Sequence, residues 1–167
     1  MLSPLSKPPK GAPEGTVWSG GSMPWFSITL RVIGDTLDPD AISIALKHSP
    51  TQCHRKGDDV FRPDGSKVWP ARSGRWSLKF TPESLSFEDC CDAVEHILTL
   101  LNDDVEAWRS VTNVHRADFF IGLNLDTNGR GIELSPKLML LLGERGIRIG
   151  FDVYSKQTDG EATTSDI

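Results

Sequence analysis

Four stretches of this chain alternate apolar and polar residues with period two: residues 26–32 (FSITLRV), 75–80 (RWSLKF), 119–125 (FFIGLNL) and 147–153 (IRIGFDV). Such alternation puts apolar side chains on one face of a strand and polar ones on the other. Four runs of this kind constrain the chain to an antiparallel or mixed sheet covered on one face only. Trp76 falls on the inward set. The outward set carries the cations Arg31, Lys79 and Arg148, the glycines Gly122 and Gly150, and few aromatics.

Helix signals lie between the runs. In Leu37-Asp38-Pro39-Asp40-Ala41-Ile42, Asp38 is a good N-cap and Pro39 suits the first helical position, where a missing N–H costs nothing. Leu37 and Ile42 are spaced as a hydrophobic staple. Leu134-Ser135-Pro136 repeats the device before a helix that stops near Gly143, a C-terminal glycine. The middle helix starts at Ser86. Phe87, Cys91, Val94, Leu98, Leu101, Val105 and Trp108 form one apolar stripe, with a potential break at residues 102–104. Between Phe80 and Trp108 there are eight Asp or Glu and no Lys or Arg, so its exposed side is acidic.

The order is βαβ, helix, βαβ, and the two βαβ units resemble each other, which suggests duplication. The expected fold is α+β: a ferredoxin-like βαβ-α-βαβ duplication, with a four-stranded sheet and helices on one face. A chain of 167 residues is long enough to bury such a core without disulfides or metal. Residues 1–24, rich in proline and glycine, and residues 155–167, largely polar, read as flexible tails around one domain, 25–154. Met23 is a second candidate initiator. The net charge of −5 argues against general nucleic-acid binding, and no apolar run reaches the roughly 20 residues of a membrane span. Three cysteines, Cys53, Cys90 and Cys91, fit a reducing cytoplasm better than secretion.

One segment breaks the symmetry. In the second unit the chain passes from helix to strand in a few residues; in the first it takes the whole of 47–74. Loops longer than about 12–15 residues are uncommon in compact domains and are usually functional or disordered. This one contains TQCHRKGDDVF, a turn signal at Pro63-Asp64-Gly65, and Val60, Phe61, Val68 and Trp69 to hold it down. From Arg55 to Lys79 there are seven Lys or Arg against three Asp, a basic patch on an acidic protein.

The words ITLRVIGDTLDPDAISIALKHSPTQCHRKGD, followed after a gap by GRWSLKF, resemble the bacterial family called domain of unknown function 4279. The resemblance covers roughly residues 26–154. It implies a bacterial cytosolic setting and supplies no catalytic residues to carry over.

The residues themselves favour binding over catalysis. Cys53 and His54 are neighbours whose side chains point apart in extended chain, so they do not make a nucleophile–base pair. Zinc-type CxxC or HxxxH spacing is absent, as are GxxxxGK[ST] and GxGxxG, so no metal or cofactor is expected. DTNGRG, residues 126–131, reads as a turn with Asn128-Gly129 at its corner. His96 and His115 read as surface or helix-end residues. RNA-binding sheets of this kind carry exposed stacking aromatics, and here Phe120 and Tyr154 are the outward ones.

The expected function is therefore a non-catalytic cytoplasmic binding protein, contacting a protein or anionic partner through loop 47–74 and the open sheet face. Small acidic toxin-immunity proteins look similar, an analogy of size and fold. The candidate binding residues are His54, Arg55, Lys56, Asp58, Arg31, Lys79 and Arg148, with Arg55 and Lys56 exposed to the partner. Gly57 supplies the turn, Asp58 ties back to a loop N–H or a nearby cation, and Trp69 and Trp76 anchor the loop. The alternative is an enzyme or small-ligand binder acting on an anionic substrate through His54, Arg55 and Asp58. A deep pocket holding those three side chains would favour it.

Overall fold

The computed structural model describes residues 25–62, 64–67, 69–80, 90–125 and 132–155. The fold is α+β. Five strands, β1 (Trp25–Gly34), β2 (Gln52–His54), β3 (Gly74–Phe80), β4 (Arg116–Leu125) and β5 (Arg148–Ser155), form one mixed sheet in the order β2-β3-β1-β4-β5. Four helices, α1 (Pro39–Leu46), α2 (Cys90–Leu100), α3 (Val105–Thr112) and α4 (Pro136–Arg145), pack against its apolar face. Phe26, Ile28, Leu30 and Val32 of β1 point into the core with Trp76, Leu78, Phe119 and Ile121. No helix among the described residues is long and apolar enough to cross a membrane.

The expected four-stranded sheet is corrected to five strands, and the expected pair of equivalent βαβ units does not form. The first crossover does not end in β3. It runs from β1 through α1 into β2, and the chain then doubles back so that β3 pairs antiparallel with both β1 and β2. β1 and β2 are thus parallel but separated by β3, a split βαβ arrangement. In the second unit β4 and β5 are adjacent and parallel across α4. β2 has three residues and lies at the sheet edge, where neither of its sides is deeply covered, so it carries no period-two signal.

The helix boundaries follow local chemistry. Asp38 caps α1, accepting from the Asp40 N–H at 3.3 Å, and Ser135 caps α4, accepting from the Leu138 N–H at 3.0 Å. Leu37 and Ile42 are both buried, as a staple requires. The middle helix is divided in two. Asn102 leaves the helix to bind the end of α1, its N–H donating to the Leu46 carbonyl at 3.0 Å and its amide to the Ala45 carbonyl at 2.7 Å. These bonds satisfy carbonyls that a helix end leaves open. Asp104 then caps α3. The expected start at Ser86 and the turn at 126–131 lie outside the described residues. α4 runs past Gly143 to Arg145, and the left-handed cap is Gly146 at φ 67°. Cys90 and Cys91, the first two residues of α2, are both buried.

Candidate functional site

The segment 47–74 is held mainly by its own polar bonds, not by apolar anchors. Trp69 is 83% exposed and Phe61 is also exposed, so the expected anchoring by Trp69 is corrected; of the two tryptophans, Trp76 alone is buried. Val68 lies outside the described residues. In place of apolar anchors, the Gly57 N–H donates to the Ala71 carbonyl and the Ala71 N–H to the Asp58 carbonyl, at 2.8 and 2.9 Å. A single bridge joins Phe61 to Lys67 around the Asp64-Gly65 turn. Thr51 clamps β2 to β3, its hydroxyl donating to the Ser77 carbonyl and accepting from the Lys79 N–H.

Within that segment, four of the expected binding or turn residues are engaged with the protein itself. Asp58 accepts from the Arg55 N–H at 2.7 Å, closing the turn at Gly57. Arg55 reaches Asp38 and Asp40 at the start of α1, at 2.5 and 2.9 Å, and these hydrogen bonds, Asp40 first, hold its guanidinium above its ordinary pKa. Lys56 pairs with Asp35. The cations therefore staple the loop to the β1–α1 corner. All of these pairs are exposed, and solvent screening leaves each of them little weight in stability. Arg55→Ala with Lys56→Ala is expected to lower the melting temperature by no more than a few degrees; a loss above about 10 °C would show a stronger clasp than exposed pairs supply. Gly57 has φ 89° with open space around it, so Gly57→Ala meets conformational strain and no clash. The expected cost is about 1–2 kcal/mol, read by denaturant unfolding. An unchanged midpoint would mean that the turn relaxes freely.

The open sheet face is where charge collects. By register, the outward positions of the strands hold Arg31, Arg75, Lys79, Arg116 and Arg148 against Asp118 and Asp152. His54 lies on this face opposite Arg75, while Cys53 lies on the other side of β2. Among the described residues no three His, Cys, Asp or Glu gather as metal ligands. A concavity of about 780 Å³ lies over β3, β1 and the start of β2, floored by Ser27, Thr29, Ser77 and Gln52 with Arg31, Arg75 and Lys79 around it. His54, Arg55, Asp58 and Arg148 do not line it.

The cations differ in how they are used. Asp118 is nearly fully buried and takes Arg31 through two bonds, Nε to Oδ1 at 2.6 Å and Nη2 to Oδ2 at 3.1 Å; Arg116 adds a third at 2.8 Å. Arg31 also lies over the Phe120 ring, 4.2 Å from its centre. The Arg75 guanidinium has neither a hydrogen bond nor an ion pair among the described residues. Its partial burial, and then Arg31 beside it, pull the guanidinium below its ordinary pKa, while Asp118 opposes them. Arg75 thus presents a partly desolvated guanidinium to the concavity, with Asp118 acting on it through space and not as an ion pair. Arg75, Gln52 of β2 and Thr51 just before it are not among the expected site residues. The outward parity of residues 75, 77 and 79 was the signal for Arg75; its lack of a partner is not written in the sequence.

No curated protein and no solved structure matches the chain. The model of the family described as domain of unknown function (DUF4279) matches residues 24–156, the whole span from β1 to β5, and the chain belongs to that family.

Proposed function

We propose that this chain is a non-catalytic binding protein of the bacterial cytoplasm that receives an anionic partner on its open sheet face. The observation that carries the reading is Arg75, half-buried, unpaired and set at a concavity beside Lys79 on a protein whose net charge is −5. The contact surface takes in segment 47–74 through Thr51 and Gln52, at the start of β2. A toxin-immunity role fits this reading if the toxin presents an acidic surface. We read β2-β3-β1-β4 as a ferredoxin-like core extended by α4 and β5, which leaves one face of the sheet free for the partner. An enzyme acting through His54, Arg55 and Asp58 draws less support, because Arg55 and Asp58 are occupied in closing and fastening their own loop.

The test is a nuclear magnetic resonance titration of the labelled protein with a panel of anions: inorganic phosphate, citrate, a phosphate monoester and an acidic peptide. At least one should shift the amides of residues 27–31, 51–54 and 75–79, more weakly at high salt, where exposed charges are screened. Arg75→Ala should abolish the shifts. Shifts that scatter over the helices, or an unresponsive sheet face, would sink the reading.

A further inference from the structure

Resting on that reading, we infer that the open face binds a small polyhydroxylated phosphate monoester, its phosphate seated over Ser77 between Arg75 and Lys79.

The first step is to ask which cations are free. Arg31 and Arg116 share Asp118, and Arg31 is further held against Phe120. Of the cations that line the concavity, Arg75 and Lys79 have no such partner among the described residues, leaving two positive charges there. They stand on one face of β3, four residues apart, so their backbones are about 13 Å apart. Both side chains are long enough to meet above Ser77, the residue between them. A phosphate monoester carries about −1.5 to −2 charges near neutral pH, which matches two cations; a single carboxylate matches one. The planar fork of arginine suits phosphate oxygens, and lysine serves as a mobile point charge.

The second step concerns the rest of the ligand. Around Ser77 the floor is Thr29 of β1, opposite Lys79 in register, Gln52 of β2, opposite Ser77, and Ser27. The polar ends of these side chains make no hydrogen bond to the protein among the described residues, whereas Thr51 spends its hydroxyl twice on the backbone. Phe120, the aromatic ring among the described residues that line the concavity, already carries Arg31 over it. That stacking leaves less of the ring open to an aromatic ligand. A ligand rich in hydroxyls finds donors and acceptors at every edge. The volume lies within the roughly 300–1,000 Å³ of small-molecule sites. Single-stranded nucleic acid binds by stacking on rows of aromatics, and the described lining of the concavity holds Phe120 alone.

The experiment is calorimetric titration of the full chain with glucose 6-phosphate, glucose, inorganic phosphate, hexaglutamate and a phosphoserine peptide. Glucose 6-phosphate is expected to bind at least about tenfold tighter than inorganic phosphate, with glucose alone silent. Arg75→Gln and Lys79→Gln should each weaken it about tenfold or more, with melting temperatures near that of the parent. Three results overturn the inference. If hexaglutamate or the phosphoserine peptide binds on the sheet face and the sugar phosphate does not, the ligand class is wrong while the anion-binding reading stands. If no anion binds, both fall. If sugar-phosphate binding survives the double Arg75→Gln, Lys79→Gln change, the site lies elsewhere.

Discussion

Trp76→Ala is expected to destabilise the protein by about 3–5 kcal/mol, a fall in melting temperature of more than 10 °C for a domain of this size. The indole is fully buried at the centre of β3, among the largest such side chains of the core. It also ties the sheet to α1. Its Nε1–H donates to the Ser43 hydroxyl at 3.0 Å, and that hydroxyl donates to the Pro39 carbonyl at 2.9 Å, one turn from the cap at Asp38. Alanine would leave a cavity and remove the donor from the Ser43 hydroxyl, which keeps its bond to the Pro39 carbonyl. Trp76→Phe separates the two effects. It keeps most of the volume and loses the hydrogen bond, worth about 0.5–1.5 kcal/mol. If Trp76→Ala melts within a degree or two of the parent, the inward register of β3 is wrong, and with it the outward placement of Arg75 and Lys79.

That register was legible because β3 is covered on one side and open on the other, so burial wrote itself into alternate residues. The helix starts at Asp38-Pro39 and Ser135-Pro136 were legible for a different reason: a cap is a local contract between neighbours in sequence. Gly57 belongs to the same class, since a positive φ between two long side chains favours glycine, and Asp58 needs to reach back only three residues to the Arg55 N–H. β2 was hidden because Gln52 and Cys53 are exposed at a sheet edge and alternate nothing. Missing it moved the end of the first crossover from β2 to β3 and made the two halves look alike. Trp69 misled by composition: a tryptophan in a loop suggests an anchor, but the loop's backbone bonds and surface pairs had already fixed it. Gly143 and Gly146 competed for one helix end, and Ile147, whose N–H bonds the Leu142 carbonyl, decides for the later glycine. Arg55 and Lys56 looked free in sequence because Asp35, Asp38 and Asp40 lie 15 to 21 residues away. Arg75 looked ordinary for the converse reason: what sets it apart is that no described carboxylate lies close enough to form an ion pair with it.

Asp118→Asn is expected to move stability and anion binding in opposite directions. The carboxylate sits on the outward face of β4 yet its side chain is 3% exposed, because Arg31 and Arg116 cover it. Removing one member of a buried pair costs roughly 3–5 kcal/mol, since the partner is left charged without compensation. The Arg31 side chain keeps 19% exposure and can recover some water, which places the cost near the lower end, about 3 kcal/mol. The same change removes a negative charge from beside Arg75 and releases Arg31 from its two bonds. Affinity for a phosphate-bearing ligand should then rise on the order of threefold to tenfold at low salt, from Coulomb attraction across several ångströms in a medium between protein and water. Melting curves and titrations at two salt concentrations read both effects. Were binding lost along with stability, Asp118 would be holding the site in shape, with Arg31 as part of the receptor. Were stability untouched, the three-residue network would be a surface pairing of little weight. The expected divergence identifies Asp118 as the residue that fixes Arg31 flat against Phe120, at the expense of affinity, and so leaves Arg75 as the cation that waits for a ligand.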